Sequence, residues 1–297
     1  MDDAANKIAF NEAENMNLNG NKNIEDRALA PVGVFDSGVG GLTVAREIMR
    51  QLPNEKIVYF GDTARVPYGS KSKNTIIKYS KQIIRFLKTR GVKAIVVACN
   101  TASAIALEEI RPEIDLPIIG VVKPGAKVAV EKTRNKRIGV IGTEAMINSG
   151  IYTDFINQRD KDIAVVTQAC PLFVPLVEEG WLRDPVTYEV ARRYLSELKD
   201  KDIDTLVLGC THYPLLRNTV GEIMGGSVTL VNPAYETAVS LREMLKQQNL
   251  AAGNEHRYAG NMYEFYVSDT ADKFKRFANS ILPFHIDTIT QINIEEY

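Results

Sequence analysis

Eight short, β-rich runs constrain this chain more than any other feature: 32-VGVF, 57-IVYF, 94-AIVVA, 117-PIIGV, 138-IGVI, 163-IAVV, 204-DTLVL and 228-VTLV. Each is followed by a polar loop and a helix-like amphipathic stretch. The runs are nearly continuous in apolar character, so both faces of their sheet need cover, which intervening helices supply. The pattern predicts a parallel α/β fold with ligands at the C-terminal ends of the strands. A second regularity lies over the first. Cys99 closes one strand run and Cys210 another, 111 positions on, while 33-GVFDS and 139-GVIGT stand 106 positions apart. Two strand-plus-loop elements thus recur in the same order. The layout predicts two similar α/β halves, each contributing one thiol.

The 297 residues, 45% of them hydrophobic, suffice for one large or two smaller domains. A formal net charge of -1 gives no electrostatic reason to expect nucleic acid or an anionic membrane as main partner, and a small neutral or anionic ligand fits better. No stretch resembles a membrane span, and the start MDDAANKIAF lacks the basic-then-apolar form of a secretion signal, so a cytoplasmic protein is expected. Residues 1–30, rich in Asn, Asp, Glu and Ala, have no sustained apolar period and read as a flexible tail. Cys99, Cys170 and Cys210 are too few and oddly numbered for a disulfide framework, so in a reducing cytosol reactivity or packing must explain them.

Three strand ends carry chemical groups. The turn 36-DSGVGGLTV sets a carboxylate and a hydroxyl on a glycine-rich loop opening a helix near Leu42; it could hold an anion on backbone N–H groups or be structural. It matches neither a Walker phosphate loop nor a dinucleotide fingerprint. The turn 61-GDTARVPYG could present backbone donors around Tyr68 or be an ordinary surface turn. In 94-AIVVACNTASAIALEEI, Asn100 and Thr101 can cap a helix whose Ala104, Leu107 and Ile110 share one face. Cys210 is placed alike, with Thr211 and His212 in the capping region and Pro214 in the first turn.

A lone free cysteine is most often a packing residue. Duplication favours reactivity, because both thiols have polar neighbours and stand where a helix N-terminus would lower a thiol pKa. Zinc is the other reading of Cys99, Cys170, Cys210 and His212, but only Cys210 and His212 are close in sequence, unlike the paired spacing of structural zinc sites. Cys170, beside Pro171 in an apolar segment, reads as structural. Two thiols on opposing halves suit inversion of a carbon acid, one removing a proton and the other returning one on the opposite face, with Asp36 and His212 to tune them.

The motifs 36-DSGVGG, 61-GDTARVPYG, 98-ACNTAS, 170-CPLFVPLVEEG and 209-GCTHYP, in this order from about Pro31 to Asp269, strongly resemble the glutamate racemases of the aspartate/glutamate racemase superfamily. The resemblance implies Cys99 and Cys210 as acid/bases for the D- and L-enantiomers respectively, Asp36 assisting Cys99, and Glu178 and His212 assisting Cys210. A surface role for Glu178, which adjoins Glu179, stays open. Ser37, Tyr68, Gly69, Asn100, Thr101, Thr143 and Thr211, with Asp36 and His212, would contact the amino group and carboxylates of glutamate. It further implies a cofactor-independent and often dimeric enzyme making D-glutamate for peptidoglycan, and with two thiol bases already in the sequence no metal is expected. Its fold would have two domains, 31–123 completed by 236–297, and 124–235, with the site in the cleft between them. The alternatives are a racemase for aspartate or another acid, a non-catalytic amino-acid-binding protein on the same fold, and a metal-dependent hydrolase.

Overall fold

The computed structural model describes residues 26–253 and 261–297. Of the expected tail, residues 1–25 lie outside the described residues, while 26–29 are helical and Lys93 Nζ donates to the Ala28 carbonyl.

The eight apolar runs all become strands. β1 (Val32–Asp36), α1 (Leu42–Gln51), β2 (Ile57–Gly61), α2 (Lys73–Thr89), β3 (Ala94–Val97), α3 (Asn100–Ile105), α4 (Leu107–Ile110) and β4 (Ile118–Gly120) come first. There follow α5 (Val122–Lys132), β5 (Arg137–Gly142), α6 (Glu144–Asn148), α7 (Ile151–Arg159), β6 (Ala164–Ala169), α8 (Phe173–Glu178), α9 (Pro185–Lys199), β7 (Thr205–Gly209), α10 (Arg217–Met224) and β8 (Thr229–Val231). The chain ends with α11 (Pro233–Gln247), β9 (Tyr263–Val267), α12 (Ala271–Ile281) and β10 (Thr290–Gln291).

These strands form two separate sheets, every pairing parallel, in the orders β10-β9-β2-β1-β3-β4 and β6-β5-β7-β8. The kernel β2-β1-β3-β4 recurs as β6-β5-β7-β8, which is the duplication expected from the cysteine spacing. β3 and β7 hold equivalent places, and Cys99 and Cys210 follow them directly. The last two strands lie beyond the eight runs. They extend the first sheet at β2, with Ile57 opposite Tyr263 and Tyr266 opposite Thr290.

Burial follows from this layering. β1, β2, β3 and β7 are buried along their whole length, as strands covered on both faces must be. α1 turns Leu42, Ala45, Ile48 and Met49 inward against Val34 and Tyr59, each large side chain contributing about 1.5–3 kcal/mol of hydrophobic stabilisation. Ser72, Thr143, Asp184 and Asn232 cap α2, α6, α9 and α11 by accepting backbone N–H bonds, each cap contributing about 1 kcal/mol. The helix after Cys99 is interrupted at Ala106, so the expected single face is split. Leu107 and Ile110 are buried on α4, whereas Ala104 on α3 is only half-buried. Among the described residues, no helix is long and apolar enough to cross a membrane.

Candidate active site

At the end of β3 the residue that caps α3 is Cys99 itself, not Asn100 or Thr101 as the sequence suggested. Its Sγ accepts the Ala102 N–H at 3.5 Å and donates to Ser37 Oγ at 3.4 Å. The helix N-terminus favours a thiolate, but burial and the nearby Asp36 carboxylate outweigh it and push the Cys99 thiol up to about 12. Asp36 ends β1 fully buried, and burial raises its pKa against the opposing pull of His212 and backbone donors. Its Oδ2 accepts the Gly38 N–H at 3.0 Å, while Oδ1 is buried with no hydrogen-bond partner. That leaves an acceptor beside Cys99 that is free to take a proton or a donor.

Cys210 follows β7 at the start of a 3₁₀ turn, Tyr213–Leu216, and not of an α-helix. Its Sγ lies 3.7 Å from His212 Nδ1, and His212 Nε2 lies 3.1 Å from Glu178 Oε1 at the end of α8. Burial works against a charged imidazole here, yet the hydrogen bonds to Cys210 and Glu178 prevail and lift His212 to about 10. Glu178 is likewise opposed by burial and still held down to about 2 by His212 and Lys273. A surface role for Glu178 is thus replaced by an ordered Glu178–His212–Cys210 line. The two arms are close enough for the thiols to sense each other electrostatically.

The glycine-rich turn explains how the arms meet. A Cβ on Gly40 would stand 2.4 Å from Thr211 Oγ1 and 2.5 Å from the His212 ring, so only glycine lets the β1 loop abut the β7 loop. Thr43 Oγ1, in the first turn of α1, donates across the same seam to the Thr211 carbonyl at 2.8 Å. Thr101 and Thr143 join hydroxyls across the cleft at 3.0 Å, and a Cβ on Gly69 would come within 3.1 Å of Thr143. Tyr68 is buried with its hydroxyl committed to Asp62 Oδ2 at 2.5 Å, which leaves the backbone of its turn to face the cleft. Outside the thiols, a cavity of about 300 Å³ opens between Val66, Pro67, Gly69 and Thr143, Pro175, Glu178.

The sequence-predicted site residues lie at the C-terminal ends of β1, β3, β5 and β7, in the 3₁₀ turn Tyr68–Ser70 that follows β2, and at the end of α8. Cys170 stands apart from this chemistry. It is fully buried, its Sγ touches the Gln168 carbonyl at 3.7 Å, and burial raises its pKa. Among the described residues, no three His, Cys, Asp or Glu side chains converge as a metal-binding group. Three participants gave no signal in the sequence. Tyr152 on α7 donates to Asn100 Oδ1 at 3.0 Å, Thr43 ties the two loops, and Lys273 on α12 reaches Glu178 Oε2 at 2.7 Å.

The sequence profile of the Asp/Glu/Hydantoin racemase family matches residues 32–241. A glutamate racemase of Geobacter metallireducens is 48% identical to this chain over 264 residues, 89% of this chain and 97% of the relative. The crystal structure of a Francisella tularensis glutamate racemase in complex with D-glutamate superposes with a TM-score of 0.84 at 38% identity, covering 91% of this chain and 100% of that one. A Thermus thermophilus glutamate racemase in complex with β-chloro-D-alanine gives 0.81 at 41% identity, covering 91% and 99%.

Proposed function

The chain belongs to the Asp/Glu/Hydantoin racemase family, and from that membership we propose that it interconverts L- and D-glutamate through two thiols, Cys99 and Cys210, acting on opposite faces of the α-carbon. The observation that carries this reading is the placement of the thiols after equivalent strands, each with its own proton-handling partner. From L-glutamate, Cys210 as thiolate beside the His212 cation removes the α-proton. Cys99, a thiol at neutral pH, delivers its proton to the other face. D-glutamate leaves behind a Cys210 thiol and a Cys99 thiolate, and proton exchange with solvent restores the starting state. Asp36, with its unpartnered Oδ1, serves Cys99 in that exchange, as Glu178 and His212 serve Cys210.

Ser37, Asn100, Thr101, Thr143 and Thr211 line the seam with small polar groups suited to an ammonium and two carboxylates, joined by the backbone of Tyr68 and Gly69. Tyr152 occupies the carbonyl oxygen of the Asn100 amide, turning its NH₂ donors toward an anionic ligand. On this reading the reaction needs no cofactor or metal. The enzyme would be a cytoplasmic homodimer supplying D-glutamate for peptidoglycan, with residues 31–123 and 236–297 forming one domain and 124–235 the other.

The test is turnover of L-glutamate in heavy water. Early D-glutamate should carry solvent deuterium while unreacted L-glutamate stays largely unlabelled, because the group that removes the proton is not the one that returns it. Replacing either cysteine by Ala should lower racemisation by roughly a hundred- to ten-thousandfold in both directions. Cys99→Ala should retain slow α-proton exchange of L-glutamate alone, and Cys210→Ala of D-glutamate alone. Near wild-type racemisation by either variant would return that cysteine to a packing role.

A further inference from the structure

Glu178 is shared. Its Oε1 faces His212 Nε2 at 3.1 Å and its Oε2 faces Lys273 Nζ at 2.7 Å. The two partners come from opposite sides of the cleft. His212 and Glu178 belong to the half built on the second sheet, whereas Lys273 lies on α12, between β9 and β10 of the first. One turn further along α12, Phe277 sets its ring 6.2 Å from the His212 ring. A single helix of one half thus grips both the carboxylate and the imidazole of the other half's proton relay.

We propose that Lys273 is a positioning residue that completes the Cys210 arm from across the cleft, so that the first half supports the acid/base of the second. The proposal rests on the two-thiol reading above.

Charge counting gives its sign. With Cys210 as thiolate, the line Glu178, His212, Cys210 carries two negative groups and one positive, and Lys273 brings it to neutrality. Among the described residues, the other titratable groups near the line include Asp36 at the end of β1, Cys99 across the cleft, Glu144 on α6 in the cavity that Glu178 lines, Cys170 ahead of α8, Tyr152 on α7 and Tyr213 after β7. None of these supplies a second cation. Losing Lys273 therefore disfavours the thiolate and also frees Glu178 to shift, which loosens the geometry of His212. The lysine side chain is 54% exposed, so solvent screening keeps the effect modest.

In Lys273→Met, kcat/KM should fall roughly threefold at neutral pH, the size a screened ion pair supports. The fall must be equal in both directions, because the enantiomers have an equilibrium constant of one. The diagnostic is the α-deuterium isotope effect. Slowing only the Cys210 step should raise the effect on kcat/KM for L-glutamate and lower it for D-glutamate. Lys273→Arg should restore both, and Lys275→Met, which removes a charge from the same helix at a lysine bonded to the Asp287 carbonyl, should change neither. Isotope effects that stay put or move together, or a Met variant equal to wild type, would overturn the proposal. Wild-type protein that racemises no glutamate would instead remove the two-thiol reading, and this one with it, before any variant is compared.

Discussion

Burial acts on His212 and Cys99 alike by disfavouring charge, and their partners decide the outcome. His212 has Cys210 and Glu178 within hydrogen-bond range and is lifted to about 10, so it is cationic at neutral pH. Cys99 has Asp36 nearby in place of a cation and is pushed up to about 12, so it rests as a thiol. Stability should depend on pH in consequence. An unfolded histidine titrates near 6.5, so the His212 contribution is fully present below that value and is lost as pH rises through about 10. The raised Cys99 adds to the decline further into the alkaline range. Calorimetric melting temperature should therefore fall from pH 7 to 10, and less steeply in His212→Asn; a wild-type melting temperature constant over that range would contradict the charged state of His212. Cys99, Cys210, Asp36 and His212 were legible in sequence because each sits within a few residues of a strand end. Lys273 and Tyr152 were not, since their partners are 95 and 52 positions away and their own surroundings look like ordinary helix surface and core.

At the scale of elements, the strands that could be read were those whose composition alone demands two covered faces. β1 and β7 need no partner information to be recognised, whereas β10 is two exposed residues, defined only by its pairing with β9. Helix ends were harder. The sequence offered Asn100 as a cap because amides commonly cap, but the strand delivers Cys99 to that place and its sulfur accepts the bond. The glycine-rich turn after β1 was open between anion binding and structure, and its closeness to Thr211 and His212 shows what Gly40 does: it lets two loops from different halves touch. Gly40→Ala should accordingly force them apart. With Cβ only 2.4 Å from Thr211 Oγ1, the β7 loop must shift and carry His212 with it. A loss in kcat/KM of about tenfold or more, equivalent to roughly 1.4 kcal/mol in barrier, is expected. Steady-state kinetics beside a thermal melt would show whether activity falls further than stability; an alanine variant of unchanged rate would mean that the two loops need not touch.

On the scale of the whole molecule, two copies of a four-strand kernel face each other, and the C-terminal chain makes them unequal. β9 and β10 are added to the first sheet alone, and the chain end then folds back over α2. Ile294 is buried, the Tyr297 ring meets Phe86 edge-on with centroids 5.3 Å apart, and Glu295 receives Arg65 at 3.0 Å and Gln82 at 3.2 Å. Arg65 in turn holds Asp62 at 2.8 Å, and Asp62 holds the Tyr68 hydroxyl at 2.5 Å. The last residues of the chain are thereby connected, through hydrogen bonds that run from the exposed Glu295 to the buried Asp62–Tyr68 pair, to the turn that forms one wall of the cleft. Removing residues 293–297 uncovers Phe86 and its neighbours and takes one carboxylate from Arg65, a change comparable to truncating a large core side chain, at a cost of about 2–5 kcal/mol. The truncated protein should melt at a lower temperature and show a raised KM for glutamate, because the 61-GDTARVPYG turn loses its outer support while the thiols keep theirs. Glu295→Gln separates the two effects. It keeps the apolar cover, so it should leave the melting temperature nearly unchanged and still raise KM; an unaltered KM in both variants would show that Asp62 alone fixes the turn.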